Sequence, residues 1–310
     1  MRRCCILGGG GFIGINLANH LVRTGWQVTS YGRQPAPGAH AAEVRHLTGE
    51  FADAPVRLSA IDGFDIVFHL VGSTPARSES DRVADLDGSV AQTLRLLDAG
   101  VAGAFGKIVF ISSGGTVYGL PERVPIPETA RQWPTCSYGV SKLAVERYLS
   151  VYQRLYGLGY GIARVSNPFG PHQQRRTGQG VIAALLHCAL SGEPFTIVGD
   201  GTVVRDYFYV EDLVAGLASL ADYLGDDGVY NLGSGIGTSL NALITLVERV
   251  TGQTIERRFQ PGRAIDVPVN VLDVRRAATD LDWRAETPLE TGLARTFDWM
   301  AARTPYPVWR

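Results

Sequence analysis

The chain lacks a disulfide framework: its four cysteines, Cys4, Cys5, Cys136 and Cys188, show no CxxC pair and no regular spacing. That usage suits a reducing compartment. Apolar runs of membrane length are absent too. The longest, such as residues 66–71 (IVFHLV), are only strand-length, so no spanning helix is expected. There is no excess of charge: a net −1 over 310 residues gives no broad surface for nucleic acid or an anionic membrane. Met1-Arg2-Arg3 passes directly into a short apolar run and glycines, without a secretory h-region. A cytoplasmic location is the expectation. No His/Cys/Asp/Glu cluster has metal-ligand spacing, so no metal is expected. Repeats, low-complexity tracts and an interdomain linker are also missing.

What remains is an ordinary globular composition, 45% hydrophobic and 19% charged, with a marked alternation in its first half. Apolar runs at 4–8, 27–32, 43–48, 65–71, 107–113 and 159–165 read as strands. Helical patterns at 12–24, 82–102 and 137–156 fall between several of them. Continuous apolar strands separated by helices predict an α/β fold, a doubly wound parallel sheet of Rossmann type. Cys4 and Cys5 should then point to opposite faces of a buried strand. Beyond Pro168 the pattern loosens, with helices near 180–191, 211–223 and 239–251 and strands near 195–198 and 229–232. Residues 1–167 are expected to be mainly the dinucleotide-binding domain. Residues 168–310 are expected to form mainly a smaller mixed α/β substrate lobe, with segments returning to the first sheet.

Two motifs carry chemistry. The run Gly8-Gly9-Gly10-Gly11-Phe12-Ile13-Gly14 follows the first strand and opens the first helix, and Gly8, Gly11 and Gly14 fit a GxxGxxG spacing. Glycines there permit a tight turn and let backbone N–H groups approach a pyrophosphate at the helix N-terminus. At the end of the second strand, Gly32 stands where a carboxylate would select NAD, and Arg33 beside it could meet a 2′-phosphate. NAD is the expected cofactor, with NADP kept open. The second motif is Tyr138-Gly139-Val140-Ser141-Lys142. Helical spacing puts the phenol and the ammonium on one face, where each can tune the other's proton affinity. At about 4 Å and an effective dielectric of about 20, the attraction would lower the tyrosine by roughly three pKa units before desolvation opposes it.

With these motifs in place, the chain resembles the extended short-chain dehydrogenase/reductase family, in its nucleotide-sugar, UDP-glucose 4-epimerase-like branch. Further residues carry the resemblance nearly end to end: residues 65–72 (DIVFHLVG), 112–119 (SSGGTVYG), 164–171 (RVSNPFGP), Gly199-Asp200-Gly201, Arg205-Asp206-Tyr207, and 263–268 (RAIDVP). The resemblance implies that Leu70, Val71, Gly72, Ser89 and Ser112 border the cofactor along with the glycine turn, and that Tyr138 and Lys142 also contact it. It implies that Asn167, Arg205, Arg263 and Asp266 hold a nucleotide-diphosphate sugar. Two forked guanidinium groups suit a diphosphate. His172, Arg175 and Arg176 read as a polar flap, and His69 as a core histidine. The resemblance also implies a homodimer formed through the helices at 137–156 and 82–102.

Three departures stand out. The family usually places Ser or Thr where Gly114 stands, leaving Ser113 or Thr116 to supply the catalytic hydroxyl, with Thr116 preferred. Gly115-Thr116 replaces the Asp-Glu pair of the dehydratases, which disfavours dehydration. Ser89 and Gln92 replace the family's Asn and Gly. The expected activity is nucleotide-sugar 4-epimerisation by transient hydride transfer, with Tyr138 as acid/base. The alternatives are an NADPH-dependent 4-keto-6-deoxy nucleotide-sugar reductase and a non-catalytic dinucleotide sensor.

Overall fold

Cys4, Cys5, Ile6 and Leu7 are all fully buried, although one strand face accounts for only alternate residues. Both faces of this strand are therefore covered, as in a parallel sheet with helices on each side. The computed structural model of the chain describes residues 1–34, 36, 38–60, 63–173, 180–225, 228–262 and 267–303. Its first strands are β1 (Arg3–Leu7), β2 (Gln27–Gly32), β3 (Arg45–Thr48), β4 (Phe64–His69), β5 (Phe105–Ser113) and β6 (Gly159–Val165). They are followed by β7 (Asn167–Phe169), β8 (Phe195–Val198), β9 (Val204–Tyr209) and β10 (Val229–Leu232). The seven strands of the main sheet run parallel in the order β10-β6-β5-β4-β1-β2-β3. The order reverses beside β1, which is where a doubly wound sheet opens a ligand crevice.

The helices are α1 (Phe12–Arg23), α2 (Ala54–Ser59), α3 (Pro75–Ser80), α4 (Arg82–Asp85), α5 (Gln92–Val101) and α6 (Ser137–Tyr156), then α7 (Val181–Ser191), α8 (Val210–Asp222), α9 (Leu240–Thr251), α10 (Arg275–Asp280) and α11 (Leu289–Ala301). Cys4 and Ile6 pack with Leu17 and Leu21 of α1 and Leu213 and Leu217 of α8. Cys5 and Leu7 pack on the other face with Leu58 of α2, Leu97 of α5 and Leu149 of α6. The two cysteines do point to opposite faces, and burial pushes both thiols well above their ordinary range. Each fully buried leucine contributes about 1.5–3 kcal/mol. A third cluster, with Phe169, Leu186, Ile197, Tyr209, Leu243 and Leu293, forms the core of the later part of the chain. There β9 pairs with β7, with β11 (Gly237–Ser239) and with β13 (Val269–Asn270), while β12 (Arg257–Gln260) pairs with β8.

One expected helix is not regular. Between α4 and α5, residues Leu86–Ala91 form a wide π-turn, so the pattern over 82–102 contains three segments. One extra residue in a turn barely disturbs a 3.6-residue periodicity, yet it re-aims the side chains on either side. It sits against α6 and places Asp85 and Ser89 on the wall of the crevice.

Candidate active site

The crevice begins at the glycine turn. Gly8 has φ of 84°, a conformation that glycine adopts without cost, and its N–H donates to the Tyr31 carbonyl at 2.8 Å. A Cβ on Gly14 would come within 2.6 Å of the Gly9 Cα, so α1 can pack this closely on the turn only without a side chain. Gly11 caps α1, whose first N–H groups face the crevice end of the sheet. A cleft of about 600 Å³ runs from Gly8 past Arg33 at the end of β2 to Val71, Gly72 and Ser89. Glu50 and Phe51, just after β3, also line it. A glycine cradle, a helix N-terminus and a cleft of this size fit a dinucleotide. Phe12, Ile13 and Leu70 sit beside the turn and pack into the core under it.

Tyr138 and Lys142 lie in the first two turns of α6, at the inner end of the same cleft. Glu79 Oε1 accepts from the Ser137 N–H at 2.6 Å and so holds the N-terminus of that helix. Lys142 is buried and donates from Nζ to the Ile111 carbonyl at 2.8 Å, lying 4.6 Å from the Phe110 ring centre and 5.7 Å from that of Tyr138. A Cβ on Gly72 would stand 3.0 Å from this Nζ, so the glycine leaves room for the ammonium. The expected lowering of the phenol is corrected here. Burial, with Cys136 and Asp85 nearby, pushes Tyr138 up to about 12. Burial also brings Lys142 down to about 8, against the pull of Asp85 and Glu146. Desolvation is thus the largest influence on both groups.

The turn after β5 resolves the missing hydroxyl in geometric terms. A Cβ on Gly114 would lie 2.5 Å from Leu272 Cδ1, because Leu272 fills the space that a side chain there would need. Ser113 is partly buried at the end of β5. Thr116 backs onto Gly139 of α6, and its Oγ1 is buried with no hydrogen-bond partner among the described residues. A buried hydroxyl without a partner costs free energy unless a ligand supplies one.

Ser112 is buried near the end of β5. Its Oγ donates to Glu146 Oε1, inside the protein and away from the cleft. Arg164 grips the same carboxylate through Nε at 3.1 Å and Nη2 at 2.6 Å, and donates from Nη1 to Tyr118 Oη at 3.0 Å. Tyr118 in turn donates to Asn231 Oδ1 at 2.7 Å. This network ties β5, β6, α6 and β10 together behind the site. The Ser112 hydroxyl proton is used there.

On the substrate side, Asn167 donates to the Asp206 carbonyl at 3.1 Å, and Arg205 Nη1 donates to the carbonyls of Val204 and Val267, each at 2.8 Å. Arg205 is thereby fixed next to the segment that carries Arg263 and Asp266. Arg263, Asp266, Arg175 and Arg176 lie outside the described residues. The His172 ring lies 4.9 Å from that of Trp299, tilted by 60°, and His69 is a core residue, as expected, bonded to Thr93 Oγ1 at 2.9 Å. Sequence reasoning missed Asp85. It is buried under the cleft wall and bonded to Ser141, the residue between Tyr138 and Lys142 in the motif. Its position one turn before Ser89 in a helical pattern was the available signal. Among the described residues no group of His, Cys, Asp and Glu could hold a metal ion, and no helix is long and apolar enough to cross a membrane.

Fold and cleft together define a dinucleotide-dependent enzyme of α/β type. The profile of the NAD dependent epimerase/dehydratase family matches residues 4–233, and the chain belongs to that family, whose cofactor is NAD. It is similar to the UDP-glucose 4-epimerase of Mycolicibacterium smegmatis, 32% identical over 96% of this chain and 97% of that one. The crystal structure of Thermotoga maritima UDP-glucose 4-epimerase with UDP-glucose superposes with a TM-score of 0.91 at 31% identity, covering 97% of this chain and 99% of that one. The Thermus thermophilus UDP-glucose 4-epimerase complex with NAD gives a TM-score of 0.89 at 29% identity, covering 96% and 98%.

Proposed function

We propose that the chain is a nucleotide-sugar 4-epimerase acting on a UDP-hexose-type substrate. The observation that carries this reading is the placement of the Tyr138 phenol and the Lys142 ammonium, 5.7 Å from Nζ to ring centre, in a pocket that shares Val71, Gly72, Ser73 and Ser89 with the dinucleotide cleft. NAD, when bound, supplies reversible hydride acceptance next to these groups. The chain does the rest. Tyr138 Oη takes the proton from the sugar hydroxyl being oxidised and returns it after the sugar has turned. Thr116 Oγ1 orients that oxygen in the role usually filled at position 114. Lys142, with one donor on Ile111, has two left for the cofactor ribose and for holding charge on the phenol. Gly8, Gly11, Phe12, Ile13 and Gly14 hold the pyrophosphate, and Arg33, Leu70, Val71, Gly72 and Ser89 border the remainder of the dinucleotide. Asn167 and Arg205, with Arg263 and Asp266, hold the nucleoside diphosphate.

A homodimer belongs to the same reading. Val140, Tyr148, Val151 and Leu155 expose one apolar stripe along α6, which suits pairing with a copy of itself. The relatives' substrates and the replacement of the dehydratase acid pair by Gly115-Thr116 support epimerisation. The test is incubation of purified protein with UDP-glucose and no added cofactor. UDP-galactose should form without net release of NADH. Stoichiometric NADH release would overturn this reading, and turnover only of 4-keto sugar nucleotides with consumption of NADPH would replace it by the reductase.

A further inference from the structure

The buried carboxylate of Asp85 has no role in the reading above. We propose that Asp85 is the counter-ion of Lys142, an ionised carboxylate held by serine hydroxyls alone that keeps the buried ammonium protonated at neutral pH. This deepens the proposed use of Lys142 in the site and makes Asp85 a positioning residue, since it acts through the lysine.

The geometry is specific. Asp85 ends α4 at the entry to the π-turn and is 6% exposed. Its Oδ2 accepts from Ser141 Oγ at 2.6 Å and from Ser78 Oγ at 2.7 Å, and its Oδ1 accepts from Ser89 Oγ at 3.3 Å. Three separate elements, α3, the π-turn and α6, thus converge on one carboxylate. Hydroxyls satisfy its lone pairs without cancelling its charge, unlike a guanidinium. Burial pushes this carboxyl up, but the serine donors outweigh burial and leave it below the ordinary aspartate range. A buried charge in this state needs a nearby cation. Ser89 and Ser141, two of the donors to Asp85, line the same small pocket as Lys142.

The other ionisable groups acting on Lys142 cannot take this part. Glu146 is one turn further along α6, but Arg164 holds it through two nitrogens, so that pair carries no net charge. His69, on β4, faces the lysine as a neutral ring, since burial and the lysine bring it down to about 3. Asp85 is therefore the net anion among them. Burial already places Lys142 near pH 8, so loss of the anion would carry its midpoint through neutrality and leave an uncharged amine at the site.

The composition makes a direct test practical, because Lys107 and Lys142 are the only lysines in the chain. Lys107 lies at the opposite end of β5, donating to the carbonyls of Leu220, Ala221 and Tyr223, and serves as an internal control. In full-length protein labelled with 13C-lysine, two signals are followed against pH and assigned with Lys107→Arg. Asp85→Asn should lower the Lys142 midpoint by at least about one pH unit and leave Lys107 unchanged. A Lys142 shift below about 0.3 unit with a folded protein would overturn the proposal. Ser141→Ala keeps the charge and removes one hydrogen bond, so its Lys142 midpoint should stay within about 0.5 unit of the wild type. A full-unit drop in that variant would overturn the proposal even if Asp85→Asn did not fold. The readout is titration and not turnover, so failure of the epimerase assay would leave it standing, and the reverse also holds.

Discussion

Helix α6 carries two buried polar clusters, built to opposite specifications. In the inner cluster, Glu146 is met by Ser112 and Arg164, and Arg164 spends all three of its nitrogens on Glu146, Tyr118 and the Glu128 carbonyl. In the cluster at the cleft, Lys142 makes one hydrogen bond, and His69 Nδ1, in the lining of the same pocket, has no partner among the described residues. Interiors selected for stability alone leave few polar groups unpaired. Surplus donors facing a cleft are a ligand's share of the hydrogen bonding, and matched ones belong to the scaffold. The difference separates what holds the helix from what the helix presents.

Substitutions should separate the clusters in the same way. The largest effect is expected from Tyr138→Phe, with kcat reduced about 10²–10⁴-fold while the melting temperature barely moves. Retention of turnover would place the site elsewhere. Glu146→Gln should do the reverse. It leaves the Arg164 charge buried without an ionised partner and should cost about 3–5 kcal/mol in urea unfolding. If it proved stable but inactive, the division between scaffold and site would fail. A third effect, small per pH unit, concerns acid. His69 is neutral when folded and titrates near its ordinary 6.5 when unfolded, so the unfolded chain binds more protons between about pH 6.5 and 3. Stability is therefore complete above that window and falls through it, by about 1.4 kcal/mol per unit from this residue. His69→Gln should flatten the slope by that amount, and an unchanged slope would assign the acid sensitivity to His40 and His172, both also held below their ordinary range.

Much of this was legible in the sequence because the relevant signals are local. Apolar strand runs located the first six strands of the main sheet and β10. The glycine spacing and Tyr138/Lys142 located the cleft and its inner end. The short helices α2 and α3 escaped notice because six residues do not establish a period. The π-turn escaped because its extra residue leaves the apolar pattern nearly intact. The partners of Asp85 and Ser112 needed tertiary information: one is held by serines on other elements, the other donates to a glutamate 34 residues away. The phenol's proton affinity was misjudged because a helical spacing reveals which charges are neighbours but not how much water they keep.

The position of β10 also bears on how the molecule is made. This strand lies against β6, in register from Val229 with Ile162 to Leu232 with Val165. Asn231, within it, closes the network around Tyr118 and Arg164. On a ribosome, the outer edge of β6 stays bare until that late strand emerges, and bare edges are where chains pair wrongly. The sheet that bears the cleft is thus begun first but closed only after much of the later chain has been made.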